Sequence, residues 1–104
     1  MNVRDLAELE GCRALCLPNP DAPLRDAYTS DLLSDVMAHA PAESVLITIQ
    51  AHKNAVAVAS LAGAAAIVFC NGREAADDVR AAAEEHGIAL FSTPWNQYQA
   101  SWRI

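Results

Sequence analysis

The chain is short of basic residues and of aromatics, and the first shortage excludes a class of partner. Its 104 residues carry 7 Lys+Arg against 13 Asp+Glu, a net charge of −6, with 6% aromatic residues. A partner whose affinity comes from neutralised phosphates needs the opposite balance, so nucleic acid is excluded as an expected partner. The three cysteines, Cys12, Cys16 and Cys70, are an odd number and fit reduced thiols in the cytoplasm better than a disulfide framework. On one strand Cys12 and Cys16 would share a face about 13 Å apart, too far for one metal ion, so both read as small buried hydrophobes. The N-terminal residues Met1 to Glu8 lack a basic region followed by an apolar stretch, and no secretion signal is read there. The longest uncharged stretch, Asn54 to Gly72, is broken by Ser60 and Gly63; it reads as buried core rather than a membrane span. No G-x-x-x-x-G-K-[ST], G-x-G-x-x-G or G-x-S-x-G pattern occurs, so nothing supports phosphoryl transfer, dinucleotide binding or a hydrolase elbow, and no cofactor or metal is expected.

What is present is 53% apolar residues, enough for one core and one domain over residues 1–104. Val3, Leu6 and Leu9 recur at helical spacing between Asn2, a candidate N-cap, and Gly11, a stop signal. Cys12 to Leu17 reads as a strand, and the Pro18–Pro23 turn chemistry leads into a second extended piece, Leu24 to Tyr28, which predicts a hairpin-like pair at one sheet edge. Ser30 is the expected N-cap of a helix with Leu32, Leu33, Val36, Met37 and Ala40 as its buried stripe.

From residue 44 the order becomes regular. Val45–Ile49, Ala66–Cys70 and Ile88–Phe91 are short apolar runs of the kind that form strands covered on both faces. Between them lie helical segments, Asn54–Leu61 ending at Gly63 and Glu74–His86 ending at Gly87. A last helix is expected from Thr93 as N-cap and Pro94 as first residue, with Trp95, Tyr98 and Trp102 on one face. This alternation predicts an α/β fold with right-handed crossovers: a three-layer α/β/α sandwich around a mostly parallel, mixed sheet.

Ligands of open α/β sheets bind beyond the carboxyl ends of the strands. That rule selects the loops Gln50–Asn54, Asn71–Arg73 and Ser92–Pro94. In the first, helix N–H groups together with His52 and Lys53 would suit a phosphate or carboxylate; the plainer alternative is a helix capped by Asn54 beside a solvated Lys53. The candidate ligand residues are Thr48, Gln50, His52, Asn54 and Asn71. Asp31 and Asp35 read as a solvated acidic face rather than a cation site, and His39 and His86 as favourable charges in last helical turns. Trp95, Tyr98 and Trp102 either dock the last helix on the sheet or form a candidate interface.

Tyr28-Thr-Ser-Asp-Leu-Leu-Ser-Asp-Val-Met37, then Ile47-Thr-Ile-Gln-Ala-His-Lys-Asn54, resembles the DRTGG-domain proteins and, more closely, small stand-alone relatives of the N-terminal domain of HPr kinase/phosphorylase. Ile67–Phe69 with Asn71–Glu74, and Gly87–Thr93, extend the resemblance over essentially the whole chain. The resemblance implies an α/β/α sandwich similar to that domain, used as a regulatory or dimerising module; similar domains occur in phosphotransacetylases and between the CBS domains of some pyrophosphatases. The kinase domain with its phosphate-binding loop is absent, as is the DRTGG signature, whose loop is occupied by Gln50–Asn54. The expectation is therefore a cytoplasmic, non-enzymatic regulatory or protein-interaction module, a homodimer, acting on a protein partner. The alternative is a sensor of a small anionic metabolite or nucleotide at the loops around His52. Catalysis by His52 with an acidic partner would need a geometry that sequence does not supply.

Overall fold

The computed structural model describes all 104 residues. Five strands, β1 (Arg13–Cys16), β2 (Asp26–Thr29), β3 (Ser44–Thr48), β4 (Ala66–Phe69) and β5 (Ala89–Ser92), form one sheet in the order β1-β5-β4-β3-β2. The pairs β2–β3, β3–β4 and β4–β5 are parallel, and β1 runs antiparallel to β5. Helices α2 (Leu33–His39), α3 (Lys53–Ala62) and α4 (Asp77–His86) cover one face; α1 (Val3–Ala7) and α5 (Gln97–Arg103) lie on the other. This is the expected three-layer mixed sandwich.

The central strands are buried on both sides because their side chains alternate between two apolar layers. Leu46, Ile67, Phe69 and Leu90 pack beneath α2–α4 with Val36, Val56, Ala59 and Val79. Val45, Val68 and Phe91 face Val3 and Leu6, and Ile47 meets Cys70 and Ala100. Both long helices end as the sequence predicts, with Gly63 and Gly87 in the left-handed conformation at φ +81 and +70.

The hairpin does not form: β1 and β2 occupy opposite edges of the sheet. The proline-rich segment between them pairs with the N-terminus instead, Val3 N–H to Ala22 O and Arg4 N–H to Pro20 O, both 2.9 Å. It also crosses under the sheet, where Asn19 Nδ2 donates to Ala65 O at 2.7 Å just ahead of β4. Four interstrand spacings are about 19 Å, and the ten-residue step from Cys16 to Asp26 reaches roughly 30 Å when extended. The same residues that signal a turn are thus long enough to be a crossing.

Cys12 and Cys16 lie on opposite faces rather than one. A bulge between Ala14 and Cys16 breaks the two-residue alternation, so Leu15 and Cys16 both pack under α4, while Cys12 and Leu17 join the α1 layer. Helix starts also shift. Leu32, not Ser30, is the N-cap of α2, and Ser30 Oγ accepts the Leu32 N–H at 3.2 Å in a turn ahead of it. Of the predicted stripe only Val36 is fully buried, with Leu32 65% exposed and Met37 exposed. The last helix begins at Gln97 behind Asn96, whose side chain accepts the Gln99 N–H. Thr93 and Pro94 belong to a preceding loop, and α4 starts at Asp77 rather than Glu74.

Candidate functional site

The carboxyl ends of β3, β4 and β5 meet on one side of the sheet, as the parallel topology requires. There His52, not Asn54, takes the N-cap position of α3, and no side chain caps the helix. The first turn of α3 holds no acidic residue. Beside it lies an open cavity of about 350 Å³ lined by Ala51, His52, Lys53 and Asn54 from the α3 entry and by Ala76, Asp78 and Val79 from the α4 entry. Two helix N-termini therefore share its wall, and the side-chain charges are one Lys and one Asp.

Of the five predicted ligand residues, only His52 and Asn54 line that cavity. Thr48 is fully buried; its hydroxyl donates to Asp31 Oδ1 at 2.9 Å and accepts the Gln50 N–H at 3.1 Å. Gln50 therefore enters through its backbone. Asn71 holds a left-handed turn at φ +59, and its N–H donates to Trp95 O at 2.9 Å while Gly72 N–H reaches Thr93 O at 2.8 Å. These bonds lock the β4 and β5 loops together. The predicted set divides into a cavity pair and a structural trio.

Asp31, read from sequence as a solvated acid, is the polar centre of this end of the fold. Its Oδ1 accepts the Thr48 hydroxyl, the Ile49 N–H at 2.8 Å and the Gln97 amide at 3.0 Å. One carboxylate oxygen thus joins the ends of β2 and β3 to the start of α5. Each bond to an ionised acceptor is worth more than a neutral one. The Gln97 contact spans 66 residues, which is why no local pattern disclosed it. Nearby, burial, with help from the Asp31 charge, pushes the Cys70 thiol up to about 11, so it stays protonated and packs as a small hydrophobe.

Asp35 serves a separate cluster. The Tyr28 hydroxyl donates to its Oδ2 at 2.8 Å, and His39 Nδ1 lies 3.0 Å from Oδ1. The Tyr28 bond is the main cause of a carboxyl held below its usual range, and it raises the phenol in return. His86 meets Ser60 Oγ at 3.4 Å, beyond the range of a strong bond.

The aromatic stripe also divides. Trp95 precedes α5 and packs inward against both apolar clusters on that face. A Cβ added at Gly11 would lie 2.4 Å from its indole, so glycine there, at φ +102, makes room for the ring. Tyr98 and Trp102, one turn apart on α5, are 79% and 61% exposed. The Arg103 guanidinium lies 4.6 Å from the Trp102 ring and 5.1 Å from that of Trp95, fixing the outer indole by cation–π contact. A second cavity, about 250 Å³, opens beside the β2 edge on this same face, lined mainly by Met1, Leu24, Ala27, Val45 and Ile104, with Arg25 and Asp26. Nothing in the spacing of these residues announces it, because it forms only where the N-terminus, β2 and the end of α5 meet.

No protein-family model matches the chain, and no curated protein sequence matches it. Its fold matches the crystal structure of the CBS and DRTGG domains of the regulatory region of Clostridium perfringens pyrophosphatase, complexed with its activator diadenosine tetraphosphate. The TM-score is 0.79 at 10% sequence identity, over 97% of this chain and 44% of that one. The likeness is one of fold, and the chain spans less than half of its neighbour's length. No helix here is long and apolar enough to cross a membrane.

Proposed function

We propose that the chain is a regulatory interaction module of the DRTGG kind, which works by contact in the cytoplasm and pairs with a second copy through α5. The observation that carries this reading is the orientation of that helix: it buries Ala100 and turns Tyr98 and Trp102 outward. Exposed aromatics that contribute nothing to the core are the residues protein interfaces favour. Three free thiols suit a reducing compartment. Light scattering on a gel-filtration column should show a dimer at micromolar concentration, and Trp102→Ala should return it to a monomer, while unfolding stability compared at concentrations below the dimer Kd changes by less than about 0.5 kcal/mol. A wild-type monomer throughout that range overturns the pairing.

A second reading is favoured by the α3 cavity, where His52, Lys53 and Asn54 surround a helix N-terminus free of acidic residues. This arrangement suits an anionic metabolite or nucleotide. In a thermal-shift panel of nucleotides and phosphorylated metabolites, a ligand at 100 times its Kd adds about 2.7 kcal/mol. The shift should vanish in His52→Ala, and a panel without any shift removes this reading.

A further inference from the structure

Resting on the pairing proposed above, we infer that two copies pair reciprocally, each placing its Trp102 in the other's cavity beside β2. A two-fold pair needs a self-complementary patch, with a projection and its receptor on one surface. The α5 face supplies both. Trp102 projects from the last turn of α5, and Ile104, two residues on, lines the cavity. The cavity's 250 Å³ is on the scale of one large aromatic side chain, and five of its seven lining residues, Leu24, Ala27, Val45 and Ile104 among them, are apolar; the others are Arg25, whose charge is paired with Glu43, and Asp26.

Charge complements shape. Arg103 flanks Trp102, stacks on the indoles and has no carboxylate partner within its own chain. Asp26 stands at the cavity wall with no cation partner; its Oδ1 accepts only the neighbouring Ala27 N–H at 2.8 Å. When Trp102 enters the opposite cavity, Arg103 arrives beside Asp26, and two-fold symmetry makes the ion pair twice. The Asp26 carboxylate also covers the N–H next to it on an open edge, a device that discourages strand-to-strand pairing there and favours a side-chain contact. Tyr98, one turn back, would lie at the rim of the contact.

Sedimentation equilibrium on the full chain tests this. Ala27→Trp fills the cavity from within at an exposed strand position that tolerates an aromatic residue; it should weaken pairing at least tenfold, with a urea midpoint unchanged at protein concentrations below the dimer Kd, where monomers are compared. Asp26→Arg should do the same, and combining it with Arg103→Asp should restore the dimer. A wild-type dimer whose Kd is unmoved by Ala27→Trp, or a charge swap that fails to restore pairing, overturns the seating of Trp102 and leaves pairing through α5 standing. A wild-type monomer overturns both.

Discussion

Helices α3 and α5 lie on opposite faces of the same strands and use their side chains in opposite ways. α3 buries Ala55, Val56 and Ala59 completely and has a glycine stop, so its apolar stripe docks it on the sheet, with Leu61 left 74% exposed in its last turn. α5 buries one alanine against Ile47 and Cys70 and relies on polar ties for the rest: Gln97 to Asp31, and Ser101 Oγ to Thr29 Oγ1 at 2.7 Å. Its largest side chains point away from the core. A small inward residue lets a helix sit close to the sheet, and the large outward ones are then free for a partner. The difference separates a helix held by a buried apolar stripe from one held mainly by polar ties.

The largest way to break this contrast is to destroy α3 docking. Val56→Asp puts an unpaired charge into a site with no exposure and should cost about 4 kcal/mol, read as a fall in the urea midpoint at constant m value. If its loss is no larger than that of an exposed α5 substitution, the two helices are not different in kind.

A smaller effect tests the polar docking of α5. Asp31→Ala leaves the buried Thr48 hydroxyl and the Ile49 N–H without their acceptor and should cost about 2 kcal/mol. Hydrogen exchange should speed up most in α5 and at Ile49, since Gln97 loses its tie, while α3 amides keep their order of protection. Uniform acceleration across both helices would show that α5 is part of the same cooperative unit.

The smallest effect concerns the rim of the sheet. Asp35 is held below the ordinary carboxyl range, first by the Tyr28 hydroxyl. A depressed folded value contributes stability above the unfolded pKa, and that stability disappears as pH falls through the folded value. Tyr28 is raised by the same bond, so its contribution is present below the unfolded phenol pKa and disappears as pH rises through the folded one. In Tyr28→Phe the Asp35 titration, followed by NMR, should move up toward the ordinary carboxyl range. The acid limb of the stability curve should flatten accordingly, and an Asp35 titration that does not move would show that His39 holds the carboxylate instead.

Much of the fold was legible because the physics is local. Val45, Leu46 and Ile47 lie in a continuous β-branched and aliphatic run, and Gly63 and Gly87 stand where a helix must turn left-handed to stop; neither signal depends on a distant residue. The candidate site was legible only in part. His52 and Asn54 were found by topology, since the first helix after a parallel strand presents its N-terminus at the ligand end. Thr48 and Asn71 were found by the same rule, but Thr48 serves Asp31 and Asn71 the β5 loop, and Asp31, which ties Thr48 to Ile49 and Gln97, read as an ordinary surface acid. Its partners lie 17, 18 and 66 positions away.

The sequence by itself determined an acidic α/β chain, because composition, strand runs and helix stops act within a few residues. Only the tertiary structure decided that the Pro18–Pro23 segment crosses the sheet instead of folding back, that a bulge sends Cys12 and Cys16 to opposite faces, and that α5 docks with Trp102 outward on the face that carries the cavity beside β2. Each of these depends on which distant surfaces meet, and burial takes its free energy from contacts that local patterns do not specify.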